Sequence, residues 1–469
     1  MTNQSNYSIK SFFRNLKIAV TGKQEDFTTG SIRKAIFMLS IPMILEMLME
    51  STFALVDMIY VSMISTNAIA TVVLTESVIT LVYALAIGLS MAATAMVARR
   101  TGEKDTDGAS KTAVQAIFLG VFISLTIGTF GLLYPKEILA LMGGEDDLIN
   151  EGYRYTQIMI GGNITVVLLF LINAVFRGAG NASIAMWTLV LSNGLNIILD
   201  PIFIFGFGPI PAYGVEGAAI ATNIGRGIAV IGQLAILFLG KSRIKIGRKD
   251  LRLQTTIMWN LMKVSLGGIG QFLIGTSSWV FLTRIMSEFG SEVLAGYGIA
   301  IRVIMFTMMP AWGMSNAAAT LVGQNLGANQ PRRAEESVWK TGKYNALFML
   351  LISVVYLLFA KTIVGLFKGE PAVIEAGALC LQIIAIGYVF YGYGMVLTQS
   401  FNGAGDTKTP TIINFFCFWL FQIPLAYFTA LTLNWGPLGV YLAIMISEVL
   451  TACVSWHYFK KGKWKTIKV

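Results

Sequence analysis

Twelve apolar runs constrain this chain more than any other feature, each long enough to reach the ~20 residues a helix needs to cross ~30 Å of hydrocarbon. They lie roughly at 33–60, 69–96, 112–134, 153–176, 182–206, 214–239, 256–286, 294–322, 342–367, 376–400, 410–433 and 437–459. Each is expected to be helical, because lipid offers no partner to an unpaired backbone group. The residue-by-residue alternation of a membrane barrel strand is absent. The 469-residue chain is 55% hydrophobic and 13% charged, about half the ~25% charge of a soluble domain. A set of soluble domains is excluded, and disorder would demand far more charge. The expected class is an all-α polytopic membrane protein.

Lysine and arginine orient the spans. The net charge is +10, from 35 Lys and Arg against 25 Asp and Glu. The bases flank apolar runs and form no single patch, so lipid is the expected partner and nucleic acid is not. With the N-terminus placed inside, 27 bases fall on that side. Only Lys136, Arg154, Lys361 and Lys368 fall outside, and Arg226, Lys263, Arg284 and Arg302 lie within spans. Lys23, Arg99, Arg177, Arg243 and Arg333 count among the inside bases. Both termini are therefore expected to be cytoplasmic, in a multi-pass protein of the cytoplasmic (inner) membrane. The start, MTNQSNYSIKSFFRNLKIAV, lacks the apolar core and cleavage site of a signal peptide. It reads as a cytosolic tail with amphipathic character. Cys380, Cys417 and Cys453 show no metal or disulfide spacing. The lone histidine, His457, leaves no basis for a zinc site or a Ser-His-Asp triad, so neither an enzyme nor a cofactor is expected.

The chain also matches itself at a shift of 225 residues. Phe176-Arg-Gly178-Ala179-Gly180 aligns with Phe401-Asn-Gly403-Ala404-Gly405. Val97, Gly102 and Ala109 align with Val322, Gly327 and Ala334, and Gly214-Val215 and Ala218 with Gly439-Val440 and Ala443. Six helices per unit is even, so both units insert the same way round. Parallel repeats of this kind are found in secondary transporters. The expected architecture is two six-helix lobes related by a pseudo-two-fold axis normal to the membrane, around a central cleft. The divisions are a tail (1–32), an N-lobe (33–239), a basic linker (240–255), a C-lobe (256–459) and a basic tail (460–469). The Gly-Ala-Gly turns lack a following Lys-Ser/Thr and are not phosphate-cradling loops.

Carboxylates at membrane depth are costly, roughly 2.5–3.5 kcal/mol even on the lenient insertion scale. Candidates are Glu46, Glu50, Asp57, Glu76, Asp200 and Glu448. At ~100° per residue, Glu50 and Asp57 lie about 40° and 20° from Glu46, so the three share one face. That face must meet protein or water. Two readings stand: the acids join helices through polar partners, or they form a site that takes up and releases a proton. Asn196 and Asp200 also share a face. The repeat mates of Asp57 and Asp200 are Leu282 and Leu425, so the role of these carboxylates is expected to belong to the N-lobe alone. Lys263 and Arg284 read as snorkelling from helix ends; Arg302 is deeper. Pro42 precedes the acidic stripe and marks a kink, static or a hinge. Of the abundant aromatic and methionine side chains, Met49, Phe53 and Trp312 are candidates to grip flat cations.

Leu55-Val-Asp57-Met-Ile-Tyr-Val61, Leu321-Val-Gly-Gln-Asn-Leu-Gly327-Ala, Arg177-Gly-Ala-Gly-Asn181 and Leu199-Asp200-Pro201 resemble the multidrug and toxic compound extrusion (MATE) family, over nearly the whole chain. Leu-Asp-Pro in the fifth span is closer to its DinF-like and archaeal branch than to its NorM branch. The resemblance implies a secondary active antiporter that exports organic, mainly cationic drugs or toxic metabolites in exchange for H⁺ or Na⁺. It also implies an N-lobe coupling network of Asp57, Asn196, Asp200 and Thr222, the last matched by allowing a short insertion near Pro209-Ile-Pro211. Glu50 departs from the family, where Gln is usual, and the acids of NorM-like seventh and tenth helices are missing. That favours H⁺ over Na⁺. Two other readings are a lipid-linked oligosaccharide flippase, which should line its cavity with bases, and a channel or receptor, for which no filter is evident. The protein is expected to work as a monomer.

Overall fold

The computed structural model describes residues 9–22, 25–367 and 369–469. Lys23 and Lys368, counted above among the bases, lie outside the described residues. Among the described residues, twelve helices are long and apolar enough to cross a membrane. In the N-lobe they are Ile32–Ser62, Thr66–Gly102, Thr106–Leu133, Asp146–Gly178, Ala182–Phe205 and Val215–Phe238. In the C-lobe they are Thr255–Phe289, Ser291–Gly327, Pro331–Gly365, Pro371–Ala404, Lys408–Thr432 and Pro437–Lys460. Below they are the first to twelfth spans. The second, eighth and ninth overrun the apolar windows of the sequence, because helices continue past the hydrocarbon into polar turns. The fourth is two helices, Asp146–Gly161 and Ile164–Gly178. Between them the Asn163 amide bonds the carbonyls of Ser124 and Ile160, which replaces a stretch of the helical ladder with side-chain bonds. The tail adds a helix, Ile9–Thr21, tied to the fifth span where Trp187 Nε1 donates to the Val20 carbonyl at 2.9 Å.

Each lobe has its own apolar core. That of the N-lobe is built on Ala93, Val97, Ala113, Leu169, Ile172 and Phe176. That of the C-lobe is built on Leu282, Ala300, Met349, Leu381, Ala385 and Tyr441. The lobes meet where small residues let backbones touch. A Cβ on Gly102 would collide with the Gln324 carbonyl, and one on Gly327 with the Arg99 carbonyl. Nearer the middle of the spans, Gly88 abuts Ile269 and Gly313 abuts Ile44. All four pairs obey the 225-residue shift, so the seam follows the pseudo-two-fold axis.

The seam is sealed on the face that carries Ile9 and Val469, called here the basic face. There Gln324 Nε2 donates to the Gly178 carbonyl at 2.9 Å, and an Arg99 guanidinium nitrogen to the Ile467 carbonyl at 2.7 Å. Arg333, at the start of the ninth span, bonds the carbonyls of Phe27, Thr29 and Gly30. Residues 25–30 thus strap the C-lobe to the entry of the first span. Arg243 holds the same strap through the Glu25 carbonyl. The bases that orient the chain in sequence also lock the lobes together.

Candidate functional site

The first span runs unbroken through Pro42. Its acidic face turns into protein: Glu46 is 1% exposed and Asp57 9%, while Glu50 is half-buried. The three acids have different surroundings. Glu46 is ion-paired with Arg177 from the end of the fourth span. Arg177 reads in the sequence as a turn base but is itself buried. Glu50 meets Arg226 of the sixth span at 3.4 Å. That guanidinium also donates to Tyr83 Oη at 3.3 Å and lies 4.7 Å from the centre of the Phe53 ring. A buried arginine needs several acceptors and a ring face to offset its lost hydration, and Arg226 has them.

Among the described residues, Asp57 has no such base of its own. Its Oδ1 is buried without a hydrogen-bond partner. Asp200 is fully buried on the fifth span. Asn196, one turn earlier, donates its amide to Asp200 Oδ1 at 2.9 Å and to Thr222 Oγ1 of the sixth span at 3.2 Å. Asp200 Oδ2 and Asn196 Oδ1 are left without partners. Asp57 lies within electrostatic reach of Asp200, Glu76 and Arg226. The structure therefore gathers Asp57, Asn196, Asp200 and Thr222 in the interior of the N-lobe. Three acceptor oxygens there face no donor. An unsatisfied buried acceptor costs about 1–3 kcal/mol.

Between the lobes lies a cavity of about 290 Å³. Its N-lobe wall includes Met47, Glu50, Tyr83, Met91, Phe170 and Arg177, and its C-lobe wall Phe272, Met309, Trp312, Asn316, Gln399 and Asn402. The C-lobe polar groups form a chain of amides. Gln271 donates to Asn402, Asn402 to Gln399 and Gln399 to Asn316, over 2.8–3.0 Å. Apolar walls with a few fixed polar groups are the usual form of a small-molecule site.

A family model, MatE, matches residues 42–202 and again residues 269–428, once in each lobe. The chain belongs to the MatE family. A probable multidrug resistance protein NorM of Thermotoga maritima is 25% identical over 435 residues, covering 92% of this chain and 93% of that protein. An FAD transporter of Shewanella oneidensis is 22% identical over 429 residues, covering 92% and 94%. A solved MATE family transporter in the outward-facing conformation superposes with a TM-score of 0.87 at 27% identity, covering 94% of this chain and 98% of that one.

The remaining candidates in this MatE chain separate. Trp312 lines the central cavity. Met49 does not: one residue back from Glu50, it is turned ~100° away and packs on the N-lobe core, where its carbonyl accepts from Asn193 at 2.8 Å. Phe53 is on the acidic face, but its ring is taken by Arg226. Glu76 is exposed, on the face of the second span that carries the cavity residues Thr80 and Tyr83. Lys263 lies over Trp259, and Arg284 pairs with Glu288 at its helix end. Arg302 is exposed two turns from Met309, on the same side of the eighth span. Arg177 and Arg226 are the partners of the acidic face that the sequence underweighted. The signal was available, since five acids in one apolar lobe require buried bases. Glu448, the remaining candidate acid, is apart from these and lines a small cavity inside the C-lobe.

Proposed function

We propose that this chain is a secondary active antiporter of the cytoplasmic membrane, exporting organic, mainly cationic compounds in exchange for H⁺. The observation that carries this reading is the set of partnerless acceptors on Asp57, Asn196 and Asp200. A bound cation satisfies them, and a proton on either carboxyl turns an acceptor into a donor. In charge terms, Glu46 and Glu50 have guanidinium partners, whereas among the described residues Asp57 and Asp200 have no basic partner at ion-pair distance. Loading and unloading these two buried acids is therefore a charge change open to the lobe.

Both termini are on the cytoplasmic side in this reading, as the Lys and Arg asymmetry requires. The sealed basic face is then the inner one, and the chain is in an outward-open state. Protons enter from outside, discharge cargo and leave inside. Pro42 lacks the N–H that would bond the Met38 carbonyl, which makes it the bending point of the first span when Asp57 changes charge. The oxygens of Asp57, Asn196, Asp200 and Thr222 also form a donor set suited to Na⁺, which is the second reading. A flippase finds less support, because Arg177 at the cleft and Arg226 behind it are already neutralised by Glu46 and Glu50.

Proteoliposomes with pH and sodium gradients imposed separately test the scheme. A fluorescent organic cation is expected to move on the pH gradient. Asp57→Asn and Asp200→Asn are each expected to lower gradient-driven transport by at least ~10-fold while equilibrium binding of the cation changes little, the signature of lost coupling rather than lost affinity. Normal transport by both variants would sink the assignment, and transport on sodium alone would select the second reading.

A further inference from the structure

The C-lobe has a polar centre at the place where the repeat puts the N-lobe cluster. Ser278 of the seventh span donates to Gln422 Oε1 at 2.7 Å, and Gln422 Nε2 donates to Ser447 Oγ of the twelfth span at 2.7 Å. Ser447 is the repeat mate of Thr222. Gln422 is one residue beyond Phe421, the mate of Asn196. The eleventh span makes that register change by winding as a π-helix over Phe415–Gln422, a distortion often found where a helix must re-aim a side chain. The next residue after Ser447 is Glu448, whose mate in the N-lobe is Asn223. That amide is satisfied, accepting from Thr165 at 3.0 Å and donating to the Ala219 carbonyl at 3.0 Å. At one position, then, one lobe keeps a neutral satisfied group and the other an acid.

Glu448 is midway along its span, at the depth where lipid is least tolerant of charge. Among the described residues it has no ion pair and no hydrogen-bond donor. It opens on a cavity with about 20 Å³ accessible to the centre of a water molecule, room for one water. The seventh and eighth spans present Trp279, Ile304 and Met308 to this cavity, and the tenth presents Tyr388 and Tyr391. The eleventh adds Cys417 within electrostatic reach. Those two phenols and that thiol are the titratable groups facing Glu448 from the elements packed on it. The Tyr388 hydroxyl is buried beside those of Tyr356 and Thr307. The space is too small for an organic cargo, and a single carboxylate with aromatic walls is a poor cage for a metal ion.

We infer that Glu448 is a proton-binding site of the C-lobe, loaded through this water-sized cavity and separate from the N-lobe acids. The reaction is a simple protonation of the carboxylate, with no other bond made or broken. Its part in transport rests on the proposed antiport; the proton site itself does not. Infrared difference spectra of the full-length protein in lipid nanodiscs, taken between alkaline and acid pH, read it directly. In the Asp57→Asn/Asp200→Asn double variant the other carboxylates also titrate, so Glu448 is read by subtraction: Glu448→Gln added to that background is expected to remove one buried carboxylic-acid C=O component, seen in the double difference between the two variants. Glu448→Asp is expected to keep that component at a shifted frequency, which separates lost titration from lost folding. On the otherwise unchanged protein, Glu448→Gln is expected to narrow the pH range of transport. A double-difference spectrum in which Glu448→Gln removes no C=O component overturns the inference. Normal transport by the N-lobe variants would instead count against the N-lobe reading and leave this one standing.

Discussion

Gly102 and Gly327 are repeat mates that meet across the lobe seam. Each presses its α-carbon against the main-chain carbonyl of the other's neighbour three residues back, Gln324 and Arg99, and those two are repeat mates as well. The contact is self-complementary, like the interface of a two-fold dimer, and it closes the basic face. A side chain at either glycine must push the backbones apart. Gly102→Val and Gly327→Val should cost about 1–3 kcal/mol of overpacking. That shifts the open–closed balance of this face by roughly 5- to 150-fold. Spin-label distances across the basic face should lengthen and transport should fall. Gly275→Ala, at a helical position with no neighbour within 4 Å, should change neither.

Glu46 and Asp57 are on one helix face but should respond to mutation in opposite ways. Glu46 neutralises buried Arg177. Glu46→Gln strands that guanidinium, and breaking one side of a buried pair costs about 3–5 kcal/mol. Thermal unfolding in detergent should show a marked drop in Tm, relieved by replacing both partners with methionine. Asp57→Asn removes a charge that has no base of its own, so Tm should hold or rise while gradient-driven transport is lost. Equal Tm losses in the two variants would mean that Asp57 is structural.

This division was only half legible in the sequence. The twelve spans, the repeat and the shared face of Glu46, Glu50 and Asp57 follow from hydrophobic length and the 100° helical step, which are local properties. Which base meets which acid depends on how helices are rotated against one another, and a single helix does not encode that. Arg177 therefore looked like a turn residue, and Phe53 looked free for cargo. The break at Gly162–Asn163 and the π-helical winding before Gln422 have the same origin. Both are held by side-chain bonds to other helices, so hydrophobic period passes over them.

The strap that closes the basic face should loosen in acid. Asp26 Oδ1 accepts from the Thr28 amide at 2.9 Å and from its hydroxyl at 2.6 Å. Partial burial pushes the Asp26 carboxyl up, but the Thr28 bonds and the positive charges of Lys104 and Arg243 outweigh it and hold it below the ordinary aspartate value. A depressed folded value means that the stabilisation is complete above the unfolded value, ~3.9, and disappears as pH falls through the folded one. The protection factors of residues 25–30 in hydrogen exchange, taken relative to the intrinsic rate at each pH, should be high at neutral pH and fall below about pH 4. Asp26→Asn should show low protection at every pH.

Cargo recognition should depend on Trp312 and not on Phe53. Both are large aromatic side chains near the acidic stripe, but the Phe53 ring is already covered by Arg226 at 4.7 Å, whereas Trp312 lines the cavity opposite Glu50. An aromatic face offered to a desolvated cation gives about 0.5–2 kcal/mol, or roughly 2- to 30-fold in affinity. Trp312→Ala should weaken binding of a flat organic cation by that factor, and Trp312→Phe by less, in fluorescence titrations of the purified protein. Phe53→Ala should leave that affinity within about 2-fold and instead lower Tm, because it strips a ring from a buried guanidinium. If Phe53→Ala costs the larger loss of affinity, the cargo sits deeper in the N-lobe than the central cavity, against the Arg226 cluster itself.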